Sequence, residues 1–231
     1  LKEDGFSHEQ VVPIYNPVLF PNPTPKSLDS APKNLLVVAS RLVPLKGIDC
    51  LIHCLSHVKD LPWTCWIFGD GPQREELQQL AAKLSLADRI LFKGKRSSIE
   101  VQRALVSALA LIQPNRGPEG FGMAVAEASA LGVPVIGYDV PAINDLITHG
   151  ENGLLAPLNP KLGLSEKIRE LLEDPDLTKQ LKASGPHKMA SKYSADQHIQ
   201  QTLHAYQKCR ELFSISRSKP NRLKNLFQFS V

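Results

Sequence analysis

From Asn34 onward the chain alternates short, almost unbroken apolar runs with longer stretches whose apolar positions recur every three or four residues. The runs are LLVVAS (35–40), WTCWIFG (63–69), RILFKG (89–94), ALALIQP (108–114), PVIGYD (134–139) and GLLAP (153–157). Each has the length of a strand, and its continuous apolar character suits a strand buried on both faces. The intervening stretches predict helices at about 47–58, 73–84, 98–106, 121–131, 141–148, 161–172, 174–184 and 195–212. Strands alternating with helices predict a parallel sheet covered by crossover helices, a Rossmann-like α/β fold.

Residues 1–33 read differently. They are rich in Pro, Asn and Ser and predict a linker or a strand end followed by a loop. The folded unit is expected over 34–193, a further helix over 194–213 and a basic tail over 214–231.

In a parallel sheet of this kind, ligands bind beyond the carboxyl ends of the strands. Four predicted strand ends carry distinctive residues there. The first runs into Ser40-Arg41-Leu42-Val43-Pro44-Leu45-Lys46-Gly47 and the second into Gly69-Asp70-Gly71-Pro72. The third ends in Phe92-Lys93-Gly94-Lys95, and the fourth leads to PNRGPEGFGMAVAE. That last segment holds Glu119 and Glu127, eight residues apart. A helix starting near Phe121 would leave its first backbone N–H groups without helical partners, a ready anion site. Eight helical residues rise about 12 Å, roughly the span of a nucleotide sugar from hexose to ribose. One carboxylate could then hold sugar hydroxyls and the other the ribose diol, with the diphosphate between. The plainer reading is a capped amphipathic helix with one acid outside it.

Arg41 and Lys46 stand five apart across a short loop that opens a helix. A planar guanidinium fork and a point-charge ammonium suit adjacent phosphoryl oxygens, and fixed cations stabilise charge developing on a departing diphosphate. Taken alone they are also an ordinary solvated pair. Gly69-Asp70-Gly71-Pro72 lets backbone approach a ligand closely. It lacks the third glycine of a dinucleotide fingerprint, so a tight strand-to-helix turn explains it as well.

Composition narrows the class. Of 231 residues, 42% are hydrophobic and 22% charged, as in ordinary globular proteins. No apolar run approaches the ~18 residues of a membrane span. Cys50, Cys54, Cys65 and Cys209 form no CxxC pair, which argues against a zinc site or a disulfide framework and fits a cytoplasmic protein. The net charge of +4 is unevenly placed: from Lys208 onward there are six basic residues and one acid, leaving 21 basic and 22 acidic residues before it. The tail reads first as a solvated terminus, with peripheral contact to an anionic membrane face as the alternative. Nucleic acid is not an expected partner. The chain begins at Leu1 and its methionines are Met123 and Met189, so a longer parent protein is expected.

Taken in order, the residues R-x4-K-G, strand-GDGP, F-x-G, E-x7-E and GVPVIGYDVPAINDLITHGENGLL resemble the carboxyl-terminal, donor-binding half of a family-4 retaining glycosyltransferase. The likeness covers about residues 34–193. It implies one half of the two-Rossmann GT-B fold, with residues 1–33 closing off a missing amino-terminal domain that supplies most acceptor contacts. It implies that Arg41 and Lys46 contact the donor diphosphate, and that Glu119 binds donor-sugar hydroxyls and Glu127 the ribose. Backbone around Gly122, Met123 and Ala124 would meet phosphate or sugar, and the base would lie near Gly71 and Lys95. The helix near 195–212 would cross back onto the missing domain. The activity implied is hexosyl or hexosaminyl transfer from a nucleotide-diphosphate sugar, UDP-linked in preference to GDP-linked, to a glycan or glycolipid hydroxyl. No metal or other cofactor is expected, and the fragment alone should transfer little. Asn144 departs from the family, where many relatives carry Glu.

Two other patterns have plainer explanations. Asp174-Pro175-Asp176 matches a metal-binding DxD, but it sits between predicted helices, where Asp caps and Pro opens a first turn. Asp49, His53 and His57 share a helix face opposite Ile48, Leu51, Ile52, Leu55 and Val58, and so read as a solvent face. The competing functions are a nucleotide-sugar 2-epimerase of the same architecture, a non-catalytic nucleotide-binding subunit, and a flavodoxin-like domain.

Overall fold

The computed structural model describes residues 14–19, 24–117, 119–158 and 163–218. The strands are β1 (Leu35–Ala39), β2 (Thr64–Phe68), β3 (Ile90–Gly94), β4 (Ala110–Gln113), β5 (Val135–Tyr138) and β6 (Gly153–Ala156). The α-helices are α1 (Ile48–Ser56), α2 (Arg74–Lys83), α3 (Ser98–Val106), α4 (Met123–Ala130), α5 (Ile143–Leu146), α6 (Gly163–Glu173), α7 (Pro175–Tyr193) and α8 (Ala195–Ser218). A short 3-10 turn, Pro44–Lys46, precedes α1.

The six strands form one sheet in the order β3-β2-β1-β4-β5-β6, and every pairing is parallel. The unbroken apolar runs have the predicted cause. Leu35 to Val38 in β1 and Ala110 to Ile112 in β4 are fully buried, because helices cover both faces of the sheet centre. At the β3 edge burial weakens, and Leu91 is 37% exposed. The helix α1 buries Ile48, Leu51, Ile52 and Leu55 and leaves His53 and His57 exposed. It packs beside α2 and α6, whereas α3 neighbours α4, and α4 neighbours α5.

The sheet reverses direction at β1: the chain adds β2 and β3 on one side, then returns to place β4 on the other. Such a switch point leaves a crevice beyond the strand ends, because the two flanking connections depart to opposite sides. Here the switch point sets the loop after β1 beside the loop after β4.

The helix α5 is shorter than the predicted 141–148 and α8 runs past 212 to Ser218, and two further helices differ in more than length. The helix α4 begins at Met123, not near Phe121, because Gly122 takes φ 89° and ψ 51° and stands outside the helix as its N-cap. Only the steps from Met123 to Glu127 are therefore helical, and the eight-residue spacing is not one continuous helical rise. The helix α7 does not stop at Gly185 but runs on through Pro186 to Tyr193. Gly185 packs against α4 so closely that a Cβ there would stand 2.6 Å from the Ser129 carbonyl oxygen. Glycine and proline, which read as a stop, serve here as a packing seat inside a helix.

Residues Val18–Lys192 form one compact unit. Within it, the segment before β1 is tied down: the Leu28 N–H donates to Ser107 Oγ at 2.7 Å, and Val18 is buried. A second unit joins residues before Val18 to those from Tyr193 onward. In it the Tyr15 and Tyr193 rings meet edge to face at 5.4 Å, and His198 Nδ1 lies 2.8 Å from the Tyr15 carbonyl oxygen. Of the predicted basic tail, residues up to Ser218 continue α8, and 219–231 lie outside the described residues.

Candidate functional site at the β1/β4 switch

The loop after β1 is fastened to the loop after β2. The Ser40 N–H donates to the Phe68 carbonyl and the Leu42 N–H to the Asp70 carbonyl, both at 3.0 Å. Gly71 lies so close that a Cβ would come 2.4 Å from the Leu42 carbonyl oxygen. The Asp70 carboxylate accepts from the Gly71 N–H at 2.8 Å and pairs with Arg74 at 3.3 Å. Leu42 is fully buried while Arg41 beside it is exposed. The apolar neighbour anchors the loop and leaves the guanidinium at its surface.

The same loop then crosses to β4. Gly47 takes φ 65°, and a Cβ on it would stand 2.1 Å from the Pro114 carbonyl oxygen. No other residue type allows that approach without displacement, since an L side chain is disfavoured in the left-handed region and would overlap the carbonyl. The Arg116 N–H donates to the Leu45 carbonyl at 3.3 Å, and the Arg116 guanidinium reaches Asp49 at 3.0 Å. Lys46, next to Gly47, is thereby carried to Glu119. Its Nζ donates to Glu119 Oε2 at 2.5 Å, with the two side chains 12% and 20% exposed.

Behind Glu119 stands a polar chain that the motif reading did not include. Asn115, fully buried, donates from Nδ2 to the same Glu119 Oε2. Asn115 Oδ1 in turn accepts from Gln113 Nε2 at 3.0 Å. The signal was present in the sequence: Gln113 and Asn115 interrupt the end of the apolar run ALALIQPN, where buried polar side chains need a partner.

Beyond Glu119 the backbone turns into α4. No side chain caps this helix, and its first turn carries no acid. The N–H groups of Met123 and Ala124 thus stand at a helix start that no side chain neutralises, an anion-favouring end. Gly120 is exposed, with no atom within 4 Å of where its Cβ would be. Glu127 lies one turn into the helix, half-buried, and burial raises its carboxyl pKa above the ordinary glutamate value. Among the described residues it has no hydrogen bond or ion pair. A half-buried acid without a protein partner keeps its acceptor capacity unused.

The structure therefore brings Lys46 and Glu119 into direct contact. It places Arg41, Gly71 and the α4 N-terminus on the connections that leave the same edge of the sheet. Lys95 follows β3, three strand positions from β4, and is exposed. Asn144, the departure noted above, donates to Asp139 at 2.8 Å in the loop after β5, where Ala142 holds φ 70°. The DxD segment acts as a cap: Asp174 Oδ1 accepts from the N–H groups of Asp176 and Leu177 at 3.0 and 2.9 Å.

Comparison with known proteins gives this geometry a family. The family described as glycosyl transferases group 1 matches residues 23–188. An exopolysaccharide phosphotransferase of Streptomyces coelicolor is 35% identical over 173 residues, 72% of this chain and 18% of its own length. A lipopolysaccharide core biosynthesis glycosyltransferase of Rhizobium meliloti, LpsD, is 30% identical over 160 residues, 69% of this chain and 45% of its own. Among solved structures, Anabaena HepE in complex with UDP-glucose superposes with a TM-score of 0.69 at 25% identity, over 76% of this chain and 49% of that one. The lipopolysaccharide outer core galactosyltransferase WaaB shares the fold with a TM-score of 0.75 at 22% identity, over 90% of this chain and 58% of that one. The chain spans less than half the length of these curated relatives. Its sheet, its strand-end motifs and the match over most of its length make it a member of the group 1 glycosyl transferases, carrying a half of the GT-B type.

Proposed function

We propose that this chain is the donor-binding half of a retaining glycosyltransferase that takes a nucleotide-diphosphate sugar, UDP-linked in preference. The observation that carries this reading is the Lys46–Glu119 contact at the β1/β4 switch, beside the uncapped start of α4. The ammonium is placed for a phosphoryl oxygen and the carboxylate for a sugar hydroxyl. Arg41 adds a second cation for the diphosphate. Met123 and Ala124, with Gly122 before them, offer backbone N–H groups to the phosphate or sugar. Glu127 takes the ribose diol. Gly71 and Lys95, after β2 and β3, flank the base. UDP-glucose in the HepE structure supports the choice of nucleotide. The relatives above are named as transferases, so the epimerase and non-catalytic readings gain no support from them.

The chemistry proposed is transfer with retention. The bond from the sugar anomeric carbon to the diphosphate oxygen breaks, and an acceptor hydroxyl oxygen bonds to that carbon from the same face. The hydroxyl proton passes to the departing phosphate. Negative charge grows on that phosphate, and Arg41, Lys46 and the α4 N-terminus stabilise it without a metal. The acceptor is a glycan or glycolipid hydroxyl, presented by a domain outside this chain. The site of action is the cytoplasm or the cytoplasmic membrane face. Among the described residues no helix is long and apolar enough to cross a membrane.

Calorimetric titration with UDP, GDP and ADP sugars tests the donor assignment. Tighter binding of a UDP-sugar than of its GDP and ADP counterparts is expected. Saturable binding of none of them would overturn the reading.

A further inference from the structure

We infer that Asn115 and Gln113 are positioning residues that aim the Glu119 carboxylate, and that the buried, unpartnered oxygen of Gln113 is the cost of doing so. The inference rests on the donor-binding reading above, and it adds a layer that no strand-end motif contains.

Its logic is the polarity of a three-link chain. A carboxylate oxygen only accepts, so the Asn115 atom facing Glu119 Oε2 must be the donor Nδ2. That leaves Asn115 Oδ1 facing Gln113, whose contacting atom must then also be a donor, Nε2, at 3.0 Å. Gln113 thus presents its own Oε1 elsewhere, and this atom is buried with no hydrogen-bond partner. Gln113 is 3% exposed and Asn115 0%, so water does not compete for either amide. Buried acceptors are rarely left unpaired in folded proteins, because each such group carries a full desolvation penalty. Turning Gln113 over would satisfy neither end. It would set its oxygen against Asn115 Oδ1, or force Asn115 to turn its own oxygen toward the Glu119 carboxylate.

The consequence falls on Glu119. Lys46 and Asn115 both donate to Oε2. Among the described residues Oε1 accepts nothing. A carboxylate gripped through one oxygen from two directions cannot rotate freely, and its other oxygen keeps a fixed aim. Holding a binding group in place before the ligand arrives is what makes its hydrogen bond selective. A purely structural polar chain would have no reason to end on a partly exposed acid, or to leave Gln113 Oε1 unsatisfied when leucine would fill the same strand position.

Two variants of the full chain test this, Gln113→Leu and Asn115→Asp. The readout is the sugar advantage: the ratio of affinities for a UDP-sugar and for UDP, by calorimetry. The best binder among UDP-glucose, UDP-galactose and UDP-N-acetylglucosamine serves as the probe. Gln113→Leu exchanges one unpaired acceptor for another, so its melting temperature should stay close to that of the parent. Its sugar advantage should nevertheless fall about tenfold, the loss typical of one charge-assisted hydrogen bond. Asn115→Asp sets a second carboxylate against Glu119 and should lose at least as much, with UDP affinity changed little. A crystal structure of Gln113→Leu should show the Glu119 carboxylate turned from its parent orientation. An unchanged sugar advantage in both variants, or an unmoved Glu119 in that structure, overturns the positioning role. A parent chain that prefers no UDP-sugar over UDP overturns the donor reading instead, and the crystal structure then still decides the positioning role by itself.

Discussion

Replacing Gly47 by alanine tests the joint that assembles the site. Two terms add. Alanine at φ 65° costs about 1–2 kcal/mol, because its Cβ crowds the backbone in the left-handed region. The new methyl would also stand 2.1 Å from the Pro114 carbonyl oxygen, about 1.3 Å inside the 3.4 Å at which ordinary contact begins. The obstacle is backbone at the end of a central strand, so it cannot swing aside as a flexible side chain would. Overpacking of this kind costs typically about 1–3 kcal/mol. A total near 3 kcal/mol lowers the melting temperature of a chain this size by about 6–12 °C. Thermal unfolding followed by circular dichroism measures it. The same displacement pushes Lys46 off Glu119, so UDP-sugar affinity should fall well beyond any loss from unfolding. Gly120→Ala is the control: with no atom within 4 Å of the new methyl, stability should hold within about 0.5 kcal/mol. Any fall in binding by that control then reports a ligand lying against the exposed backbone. A Gly47→Ala protein as stable as the parent would refute the claim that the two loops are held by that contact.

Other outcomes follow from individual residues. Arg41→Ala and Lys46→Ala should each weaken UDP binding about tenfold or more, since a hydrogen bond to a charged group is worth about 1.5–3 kcal/mol; unchanged calorimetric affinity in both would remove the diphosphate assignment. Glu127→Gln should raise the stability of the unliganded chain while reducing the preference for ribonucleotides over 2′,3′-dideoxynucleotides. The sign follows from its raised pKa: folding favours the protonated acid, a contribution fully present below the unfolded-state value and lost as pH rises through the folded one. The stability gap between variant and parent should therefore open as pH rises above 4.5 and vanish below it; a gap independent of pH would contradict the burial of that carboxylate. Ala142→Gly should stabilise by about 0.5–1 kcal/mol, because relief of the φ 70° strain outweighs glycine's greater chain entropy. Chelation by EDTA should leave turnover of the full-length enzyme largely intact, and its abolition would show that a metal is required.

The sequence showed the layers plainly and the assembly poorly. Runs such as LLVVAS and PVIGYD were readable as doubly buried strands because nothing polar interrupts them. Lys46 and Glu119 were readable as candidate site residues because each follows such a run. What periodicity does not carry is which strands are neighbours. The adjacency of β1 and β4, which makes Lys46 and Glu119 partners, comes from a chain reversal with no local signature. Gly122 read as part of a helix because glycine's positive φ depends on what surrounds it. Gly185-Pro186 read as a stop because contact with Ser129 is a tertiary fact. Gln113 and Asn115 were legible as polar breaks in an apolar run, but their donor order appears only with Glu119 in place.

In the proposed complex a nucleotide sugar lies across the β1/β4 switch, its diphosphate against Lys46, Arg41 and the α4 N-terminus. A crystal structure of the chain soaked with the UDP-sugar it binds best tests this most directly. Phosphate oxygens should lie within hydrogen-bond reach of Lys46 Nζ and the Met123 and Ala124 N–H groups, with sugar hydroxyls on Glu119 and the ribose on Glu127. Density for the nucleotide at any other place on the protein, with the Lys46–Glu119 pair undisturbed, would contradict it.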